Sequence, residues 1–155
     1  MTSHTFTYPE LNSPTPNIQP AIKISVFFHK LPDISPEKFF THWQSIHADL
    51  AIATQAFQKH ILRYVQHHQT PEMKDRARSL GENVLEYDGC AQMWVRSWDD
   101  WMAFYNSDEY AAALSDDCNE FMQLPMTYMV GYENLIVGDA IGGIGGGDGI
   151  SFNKE

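Results

Sequence analysis

The stretch AIKISVFFHKLPDISPEKFFTHWQSIHADL, residues 21–50, changes its hydrophobic period part-way along. From Ala21 to His29 the residues alternate, with Ile22, Ile24, Val26 and Phe28 on one side and Lys23, Ser25, Phe27 and His29 on the other. That two-residue period predicts a strand. Pro32 ends it, and Ser35-Pro36-Glu37-Lys38 offers a capping serine, a proline at the first helical position and an acid in the first turn. The helix is expected from Pro36 to about Gln55. At about 100° per residue Phe40, Trp43, His47, Leu50 and Thr54 share one face, whereas His42 lies about 140° from His47 and points elsewhere.

Downstream, Lys59 to His68 (KHILRYVQHH) is rich in β-formers and predicts a second strand, with Pro71 to Glu82 a polar excursion of short helical character. Tyr87-Asp88-Gly89 signals a turn, and Cys90 to Arg96 reads as a third strand, antiparallel to the second, with Cys90, Gln92 and Trp94 on one face. Ser97 and Asp99 can cap a short helix carrying Trp98 and Trp101, and Ser107-Asp108-Glu109 opens another, from Glu109 to about Met122. Met126 to Gly138 is the last strand. The order βαββαβ predicts a ferredoxin-like α+β fold, a four-stranded antiparallel sheet with helices on one face. The other face, carrying Phe27 and either Tyr64 or Val65, needs a cover, which a homodimer would supply.

Four prolines interrupt residues 1–20, which read as an arm, and residues 139–155 as a flexible glycine-rich tail, leaving a folded domain over 21–138. The whole chain has 155 residues, enough for one domain with a sizeable core. Ten basic against 20 acidic residues leave a formal charge of -10, which disfavours nucleic acid and anionic membrane surfaces as partners. With 43% hydrophobic residues yet no apolar run of membrane-spanning length and no signal-peptide pattern, a soluble cytoplasmic protein is expected. Cys90 and Cys118 read as free thiols. The histidines and acids show no metal-ligand spacing, since His42 and His47 diverge and Asp116 and Asp117 are adjacent. No helix follows the glycines of the tail, so they do not form a dinucleotide loop.

Chemistry is best sought at His47, placed on an apolar helix face beneath the sheet, where desolvation would keep it neutral and able to accept a proton. A core histidine bonded to a carbonyl is the plainer alternative. Tyr64 and Asp88 could assist it from neighbouring elements, although packing and turn formation also explain them. Phe28, Phe40, Trp43 and Trp94 are candidates to line a pocket for a flat aromatic ligand, with His29 as a possible polar contact.

The run FFHKLPDISPEKFFTHWQSIHADL (27–50), with Trp43 and His47, resembles the EthD family of the dimeric α+β barrel superfamily. RYVQHH (63–68), the Tyr87-Asp88-Gly89 turn, SDEYAAALSDDCNEF (107–121) and VGYENLIVG (130–138) are similar to its fungal branch. The resemblance covers about residues 21–138. It implies a homodimer, a pocket between sheet and helices that His47 enters, and tailoring of a small aromatic polyketide without cofactor or metal. Decarboxylation or dehydration is the reaction it implies first. A cyclase or cofactor-free monooxygenase, or a dimeric carrier that leaves its hydrophobic ligand unchanged, are the alternatives.

Overall fold

The computed structural model describes residues 3–152. Strand β1 (Ile18–Phe28) is followed by helix α1 (Pro36–His42), a π turn (Trp43–His47), α2 (Ala48–Ile52) and α3 (Gln55–His60). Then come β2 (Arg63–His68), α4 (Pro71–Arg78), β3 (Gly89–Val95), α5 (Trp98–Tyr105), α6 (Asp108–Phe121) and β4 (Thr127–Asn134). The strands pair antiparallel in the order β2-β3-β1-β4, which is the ferredoxin-like arrangement expected from the sequence.

Register decides which side chains meet. Ile24 pairs with Met93 and Val26 with Ala91, while Tyr64 lies across from Met93 and Tyr128 across from Val26. Successive side chains alternate, so these residues with Phe28, Gln66, His68 and Val95 face the helices. Lys23, Ser25, Phe27, Arg63, Val65, Cys90, Gln92, Trp94, Met129 and Glu133 occupy the opposite face. The core fills the first side, with Phe28, Phe39, Trp43, Phe104 and Phe121 among its fully buried residues.

Capping follows the local sequence. Ser35 accepts from the Lys38 amide, Ser97 from Asp100 and Ser107 from Tyr110, each hydroxyl meeting an amide that the first turn leaves without a partner. Thr54 does the same for Phe57, and this cap starts α3 where an early part of the second strand was expected. β2 consequently begins at Arg63 rather than Lys59, because the helix capped by Thr54 runs on through His60.

Three further expectations change. The single helix predicted from 36 to about 55 is interrupted by the π turn and ends at Ile52. The arm's last residues, Ile18 to Pro20, extend β1; Pro20 is tolerated because β4 changes register between Ile18 and Ile22, where no ladder amide is demanded of it. The described part of the tail, 139–152, is tied back: Asn17 Nδ2 donates to the carbonyls of Leu135, Gly147 and Asp148, Gln19 Nε2 donates to Gly147, and Ile150 bridges to Val137. Backbone groups that a free tail would give to water are met here by two side-chain amides from the arm.

Candidate active site

Between the sheet and the helices lies a narrow cavity of about 40 Å³. That is room for a few waters and not for a whole polycyclic ligand. Its walls include Phe28, Trp43, His47, Tyr64, Tyr110 and Cys118, with Met93, Met122 and Met126 among the remainder. Methionine is unbranched and adaptable, so three of them leave a wall that can repack around a guest.

His47 reaches this cavity from the end of the π turn. The turn begins one residue after His42, and the Ala48 amide reaches back five residues to the Trp43 carbonyl. A bond of that span sets residues five apart one above the other, so His42 and His47 converge instead of diverging as an unbroken α-helix requires. Both grip one carboxylate, with His42 Nε2 2.7 Å from Asp117 Oδ1 and His47 Nδ1 2.7 Å from Asp117 Oδ2. Asp117, its side chain 9% exposed, comes from α6 across 70 residues of sequence. The rings of both histidines also pack on Phe121, with centroids 4.9 Å away in each case.

A carboxylate at Nδ1 accepts a hydrogen bond from the Nδ1–H, which leaves Nε2 of the neutral ring as the basic atom. Among the described residues nothing hydrogen-bonds to that Nε2. Burial pushes the His47 pKa below its ordinary value, outweighing the opposing hydrogen bond and charge of Asp117; the nearby His42 lowers it further. At neutral pH the site therefore presents an uncharged base in a mostly apolar cavity. Burial also raises Tyr64, against the opposing effects of the Gln66 hydrogen bond and the adjacent Trp43 indole, and pushes the Cys118 thiol up to about 11 and Tyr128 to about 12. These groups stay protonated, as donors rather than bases or nucleophiles.

Of the residues singled out from the sequence, His47, Tyr64, Phe28 and Trp43 line the cavity. Phe40 does not; it stacks at 4.8 Å on His68, which also stacks at 4.8 Å on the Trp43 ring. Trp94 lies on the other face of the sheet, because β3 alternates and Ala91, Met93 and Val95 take the helix side. Its Nε1 donates to Glu133, and Lys23 and Arg63 each stand 5.1 Å from its ring. Asp88 closes the turn before β3, accepting from the Lys30 amide at 2.8 Å and from Lys74 Nζ at 2.6 Å. The His29 ring packs against Tyr87 at 4.6 Å, tilted by 32°, on that outer side. Asp88 and His29 thus serve the strand end and not the cavity.

Asp117 and Gln66 were missed in the sequence. A signal for Asp117 existed: Leu114 and Phe121, three before and four after it, are core residues of α6, so a carboxylate between them faces inward. Among the described residues no cluster of His, Cys, Asp or Glu is arranged to hold a metal ion, and no helix is long and apolar enough to cross a membrane.

The family profile of the EthD domain matches residues 31–125, which spans β2, β3 and the helices that carry both histidines and Asp117. The chain belongs to the EthD family. An EthD family protein from Bacillus halodurans shares its fold at 17% identity and a TM-score of 0.50, the match covering 73% of this chain and 98% of that one. A dimeric ferredoxin-like protein of unknown function from Bacteroides fragilis is similar at 16% identity and a TM-score of 0.52, covering 74% and 97%. The hydroxynitrile lyase of Passiflora edulis has 13% identity and a TM-score of 0.50, covering 74% and 94%. These likenesses establish the fold that this EthD chain shares with an enzyme and with proteins of other or unknown role. A comparison with curated protein sequences found no match.

Proposed function

We propose that this EthD protein is a cofactor-independent lyase of fungal aromatic polyketide tailoring, working in the cytoplasm as a homodimer, with His47 as its acid/base. The observation that carries the reading is the His47–Asp117 pair, which leaves Nε2 as the basic nitrogen of a histidine that lines an aromatic cavity. That a lyase exists on the same fold, in Passiflora edulis, is consistent with it.

A neutral base favours proton abstraction, so dehydration of a β-hydroxy ketone is the first reaction to expect. His47 Nε2 takes the α-proton, and the C–H electron pair moves into an enolate whose oxygen is met by the Tyr64 hydroxyl. As the carbonyl re-forms, the α–β double bond closes and the C–O bond breaks. The departing hydroxide takes the proton back from Nε2 and leaves as water, so protons and electrons balance without a further reactant. Asp117 keeps Nδ1 protonated and steadies the imidazolium between the two transfers. Decarboxylation of a β-keto acid would use the same enolate, with protonated His47 supplying the carbon's new hydrogen. Only the reacting edge of a ring system fits the present cavity, so the methionine wall must yield on binding.

The homodimer is supported by the outer face and edge of the sheet, where Met129 is 69% and Tyr132 62% exposed, and by the dimeric state of the Bacteroides fragilis protein. Light scattering on the purified chain tests it, and a monomer at micromolar concentration would refute it. For the chemistry, the protein is incubated with a polycyclic β-hydroxy-β-keto acid in EDTA and followed by mass spectrometry. Loss of water identifies a dehydratase and loss of CO2 a decarboxylase. A bound ligand recovered unaltered overturns the lyase in favour of a carrier, an isomer of unchanged mass in favour of a cyclase, and oxygen uptake in favour of a monooxygenase.

A further inference from the structure

Trp43 is wholly buried, and its indole Nε1 has no hydrogen-bond partner among the described residues although the ring lines the cavity. A buried N–H without a partner is costly and uncommon. It approaches the Tyr64 oxygen closely enough to favour that group's ionised form, yet falls short of full hydrogen-bond geometry. The indole sits this deep because Gly89 has no side chain: a Cβ there would fall 2.7 Å from Trp43 Cζ3.

The proton on Tyr64 is equally unspent, and the network behind it shows why. Gln66 Nε2 is 2.9 Å from the Trp43 carbonyl, which can only accept, so the amide group at that position must be the NH2 end. Its second hydrogen goes to the Tyr64 oxygen, also at 2.9 Å, making that oxygen an acceptor. Gln66 Oε1 then accepts from His68 Nε2 at 3.0 Å, and His68 is held flat between Phe40 and Trp43. Each donor in this chain has a protein acceptor except the last, the Tyr64 O–H, which the Gln66 contact leaves free toward the cavity.

We propose that Trp43 Nε1–H and Tyr64 Oη–H together form an oxyanion subsite, for an enolate or phenolate oxygen, with Gln66 and His68 as its positioning residues. Two adjacent donors in a mostly apolar cavity, both already buried, need no reorganisation when charge develops on a ligand oxygen. They share a cavity with His47, whose Nε2 has no hydrogen-bond partner among the described residues, so a ligand with an acidic C–H beside a carbonyl engages both at once. The inference rests on the acid/base reading of that cavity and names the chemical group the cavity recognises.

The probe is 4-nitrophenol, titrated against the full chain near the phenol's own pKa and followed by phenolate absorbance. Binding to the native protein should raise the phenolate fraction. Tyr64→Phe and Gln66→Leu, the second keeping shape while freeing the tyrosine from its guide, should each weaken phenolate binding roughly 10- to 100-fold. Trp43→Phe should do the same, and if it fails to fold the other two variants carry the test. His47→Ala should keep the phenolate preference while losing turnover. No binding, binding without added ionisation, or a preference that survives in both Tyr64→Phe and Gln66→Leu overturns the subsite, as does a preference lost only in His47→Ala. Normal turnover by His47→Ala would instead overturn the lyase reading, and the phenolate titration would still decide on the subsite.

Discussion

Trp43 and Trp94 are both buried, at 0% and 5% exposure, and lie on opposite faces of one sheet. Their polar ends differ. Trp94 donates to Glu133 and sits between Lys23 and Arg63, so its N–H is paired and its ring is flanked by charge. Trp43 has an apolar shell, a stacked histidine and an N–H that nothing meets. Burial of a large aromatic residue therefore says little about function in this fold. The state of its hydrogen-bonding group separates a residue paired across the sheet from one whose N–H is left without an acceptor at the cavity.

The largest effect expected on the cavity side is from His47→Ala, a loss of about 10²- to 10⁴-fold in turnover with unchanged far-ultraviolet circular dichroism. An active His47→Ala enzyme would remove the functional half of the contrast. Next comes Asp117→Asn, for which about 10²-fold or more should be lost because the amide can hold the wrong imidazole tautomer. The same variant bears on pH dependence. His47 must be neutral to act as a base and its pKa is lowered, so activity should rise with pH through a midpoint below 6.5. Asp117 raises that pKa, so its removal should move the acid limb lower still, measurable as a pH-rate profile. A limb that moves upward would contradict this account.

The same group links to stability. The folded pKa of His47 lies below its unfolded value, so the unfolded chain binds more protons as pH falls beneath 6.5. Its contribution is complete above that value and declines as pH falls toward the folded pKa. Below pH 6.5 the urea midpoint of the native protein should therefore fall more steeply with falling pH than that of His47→Gln, which lacks this titration. Gly89→Ala should cost about 1–3 kcal/mol in urea unfolding, since the new methyl strikes the Trp43 ring. The smallest effect is expected from Trp94→Phe, which should lose about 1 kcal/mol or less and leave turnover unchanged, Glu133 being partly solvated. A kinetic defect in that variant would erase the distinction between the two faces.

Much of the site was legible from local pattern. The alternation over 21–29, the Ser35-Pro36 start and the inward face carrying Trp43 and His47 are all short-range features, and short-range sterics and hydrogen bonds set them. The sequence put Tyr64 on the second strand but left open whether it or Val65 faced outward, a parity that the pairing of Tyr64 with Met93 decides. Asp88, His29, Phe40 and Trp94 were placed with the ligand because their chemistry suits one, yet strand parity and the turn before β3 carry Asp88, His29 and Trp94 to other surroundings.

The order of elements, the ferredoxin-like topology and the position of His47 beneath the sheet were determined by the sequence itself, through periods of two and 3.6 residues that hydrophobic burial enforces. Only the tertiary structure decided that His42 joins His47 on Asp117, that Gln66 donates to the Tyr64 oxygen, and that one tryptophan N–H has an acceptor while the other lacks one among the described residues. The reason is physical: a π turn is a local departure from the period that a pattern assumes, and hydrogen bonds across 70 residues depend on how helices seat against the sheet.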